Sequence, residues 1–175
     1  MSLQQKLQQK IEGWRPRTTR LLKEHGDHKI SDVTIAQAIG GARGVKCLVT
    51  DISYLDPNEG IRFRGMTIPE TLEPLPKVPG SDMPYVEGHL WLLLTGEVPS
   101  EAEVKELAAD LKARSKVPQY VFDVLRAIPR DTHPMTMFSA AIVAMQRDSV
   151  YAKAYNEGLG KQDHWQPTLE DVLNL

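Results

Sequence analysis

A chain of 175 residues is long enough to bury a genuine hydrophobic core, and its 41% hydrophobic and 25% charged residues are those of an ordinary soluble globular protein. A formal net charge of −2 gives no bulk basicity, which argues against a nucleic-acid or membrane-surface partner. The longest apolar run, Leu90-Trp91-Leu92-Leu93-Leu94, is far too short to cross a bilayer.

The first residues, Met1-Ser2-Leu3-Gln4-Gln5-Lys6, lack the apolar region of a secretory signal and the Arg- and Ser-rich character of an organelle leader. Cys47 is the single cysteine, so no internal disulfide can form and a reducing compartment suits it. A cytoplasmic location is therefore expected.

Leu3, Leu7, Ile11 and Trp14 fall at three- and four-residue spacings and predict an amphipathic helix. Pro16 should interrupt it, with Leu21-Leu22 carrying on to a stop at Gly26. Thr34-Ile35-Ala36-Gln37 has the form of a capping box and opens a short helix ending at Gly40-Gly41. Leu48, Thr50, Ile52 and Tyr54 then alternate along Cys47 to Leu55. Turn residues follow from Asp56 to Gly60, and Ile61-Arg62-Phe63-Arg64 returns with a period of two. That predicts one hairpin over about 47–64, which should lie against helices because a lone hairpin is marginal in water.

From Pro84 onward the pattern is helical. Val86 to Thr95 reads as a buried helix capped by Gly96, and Ser100-Glu101-Ala102-Glu103 as another capping box. Behind that box Val104, Leu107, Ala108 and Leu111 share one face. Val121, Val124, Leu125 and Ile128 repeat the pattern between Pro118 and Pro129, and Pro134 suits the first position of a long helix to about Arg147. Tyr151, Tyr155 and Leu159 mark one more helix. Thr168 to Leu175 starts like a helix, with Thr168 as cap, and stops after about two turns with no closing signal. A chain cut short inside an element is the expectation.

No metal-ligand spacing links the five histidines, and no nucleophile elbow, P-loop or dinucleotide fingerprint is present. Cys47 next to Lys46 reads as a small core residue of a strand. Gly40-Gly41-Ala42-Arg43-Gly44-Val45-Lys46 is the best candidate site. Its three glycines let backbone amides converge while Arg43 and Lys46 add cations, the ingredients of phosphate recognition. A helix cap followed by a turn explains the same residues. The helix from Pro134 carries Met135, Phe138, Ile142 and Met145 on one face and the small Ala141 and Ala144 on another. Core packing is the first reading of these faces and a subunit interface the second. Lys161 lies just past a helix end, where a cation favours the helix dipole.

The order of motifs resembles the citrate synthase family, in the form shared by mitochondria and some bacteria. The resemblance rests on Gly40 to Lys46, on Leu55-Asp56-Pro57-Asn58-Glu59-Gly60-Ile61-Arg62-Phe63-Arg64-Gly65, and on Ile68-Pro69-Glu70. Glu87-Gly88 with Trp91-Leu92-Leu93, Thr95-Gly96-Glu97-Val98-Pro99, His133-Pro134-Met135 with Ser139 to Ile142, and Ala152 to Gly158 extend it from about Leu21 to the end. It implies a mainly α, multi-helical fold with one small hairpin, of which residues 1–175 form the N-terminal part of the large domain. It also implies a homodimer, with helices about 119–128 and 134–147 at the interface.

The implied reaction condenses acetyl-CoA with oxaloacetate and hydrolyses citryl-CoA to citrate and CoA. The CoA thioester is a substrate, and no cofactor, metal, nucleic acid or membrane is involved. In the family one Asp takes a proton from the acetyl methyl group, one His stabilises the enol, and a second His serves the oxaloacetate carbonyl. All three belong to the later part of the subunit, so no catalytic residue is expected here, and neither His89 nor His133 takes such a role. Arg43 occupies the place of an arginine that contacts CoA phosphate. Lys161 stands where mitochondrial enzymes have an arginine that reaches the CoA bound by the partner subunit; lysine keeps the charge and loses the bidentate fork. Two alternatives compete with this reading. One is a 2-methylcitrate synthase using propionyl-CoA. The other is a non-catalytic dimerising helical scaffold, against which the open last helix argues.

Overall fold

The computed structural model describes every residue except Arg43, Lys46 and Pro57. It divides into two compact units, Met1–Val104 and Lys105–Leu175, each built mainly of helices.

In the first unit, helix α1 (Leu3–His25) opens on a reciprocal cap: the Ser2 hydroxyl accepts from the Gln5 amide at 3.3 Å, and the Gln5 side chain accepts from the Ser2 amide at 3.0 Å. Leu3 is buried and Leu7, Ile11 and Trp14 half-buried, as their spacing predicts; every residue from Arg15 to His25 is exposed. The interruption expected at Pro16 does not occur, and α1 runs unbroken through it. A proline withdraws one ladder donor, and on an exposed turn water takes the place of the missing partner. Lys6 and Lys10 both pair with Glu97, which ties α1 to the segment after helix α4 (Val86–Thr95).

Helix α4 supplies the centre of this unit. Gly88, Trp91, Leu92 and Thr95 are buried, together with Leu75, Thr71 and Val104. Burying Trp91 and Leu92 is worth roughly 1.5–3 kcal/mol each. A Cβ on Gly88 would stand 3.5 Å from Leu75 Cδ2 and 3.6 Å from Val104 Cγ2, so nothing larger than alanine fits. Gly96 ends the helix in the left-handed region (φ +75°), its amide donating to Leu92 O at 2.8 Å.

The hairpin pairs β1 (Ser53–Asp56) with β2 (Gly60–Phe63) in antiparallel register, Tyr54 opposite Arg62 and Leu55 opposite Ile61. It is shorter than the expected 47–64. Arg64 (φ +50°) and Gly65 (φ +84°) turn the chain away just beyond β2, so pairing ends with one bond from the Arg64 amide to Ile52 O at 2.8 Å. Leu48 and Val49 are exposed, and Cys47, expected in a strand, lies exposed outside β1. At the turn, Asp56 Oδ1 accepts from the amides of Asn58 (2.8 Å) and Glu59 (3.0 Å). Phe63 meets His89 of α4 edge-to-face, with centroids 4.9 Å apart, which seats the hairpin on a helix as expected. Between hairpin and α4, helix α3 (Ile68–Leu72) starts where the Glu70 carboxylate accepts from both the amide and the hydroxyl of Thr67.

The boundary between the units falls inside helix α5 (Glu101–Arg114), which opens on the Ser100–Glu103 capping box. In the second unit Leu107 of α5, Val121 of helix α6 (Gln119–Ala127), and Pro167, Leu169 and Leu173 of helix α9 (Trp165–Asn174) are buried. Arg114 pins α9 to α5, reaching Asp110 (2.8 Å) on its own helix and Glu170 (2.7 Å) and Asn174 (2.9 Å) on α9. Helix α9 starts at Trp165, three residues before the Thr168 cap that the sequence suggested. Pro167 fits its first turn, and the Thr168 hydroxyl donates back to His164 O at 2.7 Å. Helix α8 (Val150–Asn156) is capped from a distance: Asp171 of α9 accepts from the amides of Val150 (2.7 Å) and Tyr151 (3.2 Å) and from the Ser149 hydroxyl.

Helix α7 (Pro134–Met145), continued by a 3-10 turn over Gln146–Asp148, contradicts its first reading as a core helix. It contains no buried residue; Met135 is 61% exposed, Phe138 59% and Val143 72%. Among the described residues its main packing partner is α6, and the apolar stripe of Met135, Phe138 and Val143 is left uncovered.

Several carboxylates are held below their ordinary range by local donors. Lys10, and after it Lys6, acts on Glu97; the Ser100 amide acts on Glu103, the Thr67 amide on Glu70, and the Asn58 amide on Asp56. A depressed native pKa means that the unfolded chain takes up protons first on acidification. The stability these groups contribute is complete above their ordinary values and is lost as pH falls through the native ones. The melting temperature should be steady from about pH 7 to about pH 5 and drop below about pH 4.5, less steeply in a Glu97→Gln, Glu103→Gln variant. A thermal melt series that stays flat to about pH 3.5 would contradict this.

Candidate functional site

Thr34 caps helix α2 (Ile35–Ile39) as its sequence pattern predicts, with the Gln37 amide donating to its hydroxyl at 3.2 Å and the Gln37 side chain accepting from its amide at 3.0 Å. The helix closes on a Schellman bond, the Ala42 amide to Gln37 O at 2.8 Å, with Gly41 left-handed at φ +77°. Ala42 (φ +60°) and Gly44 (φ +72°) are left-handed too, and the Val45 amide returns to Ala42 O at 3.0 Å. For Ala42 that conformation costs roughly 1–2 kcal/mol. The cap and turn read from the glycines are thus present. Arg43, the expected phosphate contact, and Lys46 lie outside the described residues.

Lys161 heads the 3-10 turn Lys161–Asp163 between α8 and α9 and is exposed. Helix α8 ends before it on a full Schellman motif: Gly158 is left-handed (φ +90°), its amide donates to Tyr155 O, and the Leu159 amide donates to Ala154 O, both at 3.0 Å. Backbone donors therefore serve both of these end carbonyls. Next to it His164 contacts the Tyr151 hydroxyl through Nδ1 (3.3 Å) and Leu159 O through Nε2 (3.2 Å). The left-handed glycine turn after α2 and Lys161 belong to different units.

Arg64, quoted above only as part of a motif, proves to be a structural centre of the first unit. Its side chain is 7% exposed, donates to Leu93 O and Leu94 O at the end of α4, pairs with Asp51 at 3.2 Å, and stands 5.6 Å from the Trp14 ring. A groove of about 680 Å³ lies beside it, lined by Trp14, Arg17, Arg20 and Leu21 of α1 and by Val49 and Asp51. Among the described residues no cluster of His, Cys, Asp and Glu is arranged to hold a metal, and no helix is long and apolar enough to cross a membrane.

The family model described as citrate synthase, C-terminal domain, matches residues 41–173. The chain belongs to the citrate synthase family. It is 48% identical over 174 residues to the mitochondrial citrate synthase of Emericella nidulans, covering 99% of this chain and 37% of that protein. It is 52% identical over 153 residues to the mitochondrial citrate synthase of Saccharomyces cerevisiae, covering 87% of this chain and 32% of that one. The mitochondrial 2-methylcitrate synthase of Yarrowia lipolytica is 46% identical over 156 residues, covering 89% and 34%. The chain thus spans about 37% of the length of the first of these curated citrate synthase relatives. The mainly α fold with one hairpin agrees with membership of the citrate synthase family.

Proposed function

We propose that this chain is part of an enzyme that condenses acetyl-CoA with oxaloacetate and water to give citrate and CoA, with no cofactor beyond the thioester substrate. The observation that carries this is the family match over residues 41–173, with relatives named citrate synthase at 48% and 52% identity. In this reading residues 1–175 are the N-terminal part of the large domain. Arg43 and Lys161 supply cations to CoA phosphates, Arg43 within its own subunit and Lys161 towards the CoA of the partner. The exposed apolar stripe of α7, beside Phe122 and Val124 of α6, supports a homodimer with these helices at its interface. Cys47, exposed and unpaired by any disulfide, is compatible with the cytoplasmic reading. The mitochondrial names of the relatives point instead to an organelle.

The acid–base residues of the family's reaction are assigned to the part of the subunit beyond this sequence. Abstracting the methyl proton, forming the carbon–carbon bond and hydrolysing citryl-CoA all depend on them. The 175-residue chain alone should therefore release no free thiol from acetyl-CoA and oxaloacetate, since each general acid or base is worth about 10²–10⁴-fold. Joined to the remaining length of the Saccharomyces cerevisiae relative, it should do so. Thiol release by the isolated chain above a heat-killed control would refute the assignment. The Yarrowia lipolytica match favours one second reading, a 2-methylcitrate synthase, in which propionyl-CoA would be turned over with the higher kcat/KM.

A further inference from the structure

We propose that His164 is a positioning residue for Lys161, a clasp that fixes the connection from which the lysine meets CoA; this rests on the reading of Lys161 as a phosphate contact. The clasp closes across the lysine. Leu159 O, two residues before Lys161, can only accept, so His164 Nε2, three residues after it, donates across the 3.2 Å separation. In the neutral ring Nδ1 is then an acceptor, and the Tyr151 hydroxyl donates to it at 3.3 Å. The imidazole is also gripped edge-on, 5.4 Å from the Tyr151 ring at 84° and 5.9 Å from the Tyr155 ring at 65°. Inside the clasp the Asp163 amide donates to Gly160 O at 2.9 Å, closing the turn that carries Lys161. Both ends of the connection are thereby fastened to α8, while Lys161 itself stays exposed.

Such fastening matters more for a lysine than for an arginine. An ammonium is a point charge on a flexible four-carbon stem and has no planar fork to align itself on a phosphate, so its reach depends on where the backbone holds the stem. His164→Phe keeps a ring between the tyrosines and removes both hydrogen bonds. Tyr151→Phe is the milder change, removing only the hydroxyl.

The test is a double-mutant cycle in the complete subunit, this chain joined to the remaining length of the Saccharomyces cerevisiae relative. Lys161→Ala should raise the KM for acetyl-CoA about five- to tenfold, His164→Phe about three- to fivefold and Tyr151→Phe about twofold, with kcat and the oxaloacetate KM within about twofold. Lys161→Ala combined with His164→Phe should be no worse than Lys161→Ala alone, because a clasp has nothing to position once the ammonium is gone. If Lys161→Ala is effective while His164→Phe and Tyr151→Phe are silent, or if the effects multiply, the clasp is refuted and the reading of Lys161 survives. If Lys161→Ala is silent, that reading fails and the clasp with it.

Discussion

Arg64→Met should lower the stability of the chain by about 3 kcal/mol, because the guanidinium supplies charged hydrogen bonds that nothing else replaces. A helix leaves its last four carbonyls without ladder partners. At the end of α4, Leu92 O takes the Gly96 amide, whereas the Glu97 amide that would serve Leu93 O turns to the Thr95 hydroxyl at 3.1 Å. Arg64 fills the gap, with Nε 3.0 Å from Leu93 O and Nη2 3.1 Å from Leu94 O. The ion pair with Asp51 adds little, since that carboxylate is 75% exposed. Arg64→Lys should recover only part of the loss, because one ammonium does not span both carbonyls and also keep its place by Trp14. Chemical denaturation measures both variants, and a loss below about 1 kcal/mol for Arg64→Met would show that water takes over the α4 end.

Arg43→Ala, in the chain completed from a relative, should raise the KM for acetyl-CoA about ten- to hundredfold. A charge-assisted contact to phosphate is worth about 1.5–3 kcal/mol, and roughly 1.4 kcal/mol is a decade. The KM for oxaloacetate should change much less, because its ligands are assigned elsewhere in the subunit, and Arg43→Lys should restore part of the affinity. An acetyl-CoA KM within about twofold of the parent, in a folded variant, would refute the reading of Arg43 as a phosphate contact.

Where structure is decided within a few residues, the sequence was a good guide. The Thr34 and Ser100 boxes cap α2 and α5, and Val86–Thr95 with Gly96 is α4 to the residue. Leu3, Leu7, Ile11 and Trp14 turn inward together. What depends on partners distant in sequence was not legible. The alternation from Leu48 to Tyr54 suits a strand, yet the paired strand is only Ser53–Asp56, with one further bond from the Arg64 amide to Ile52 O. The stripe of Met135, Phe138 and Ile142 is as apolar as a core helix, and periodicity cannot say whether its neighbour is in the same chain. Arg64 looks like any strand-end arginine until α4 is laid against it. In the candidate site the glycine turn could be read because left-handed backbone has a residue signature. The clasp around Lys161 could not, since nothing in His164 or Tyr151 announces their meeting.

Asp171 couples the start of α8 to the docking of α9. Helix α8 spans Val150–Asn156, too short to persist alone, and two of its leading amides are satisfied by a carboxylate that arrives only when α9 docks. Residues 149–174 must then open and close as one cooperative segment. Fraying of α9 at its far end, where Arg114 holds Glu170 and Asn174, would unseat Asp171, release the start of α8 and loosen Tyr151 in the same event. Whatever stabilises α9 thus also sets how long Lys161 is held in place.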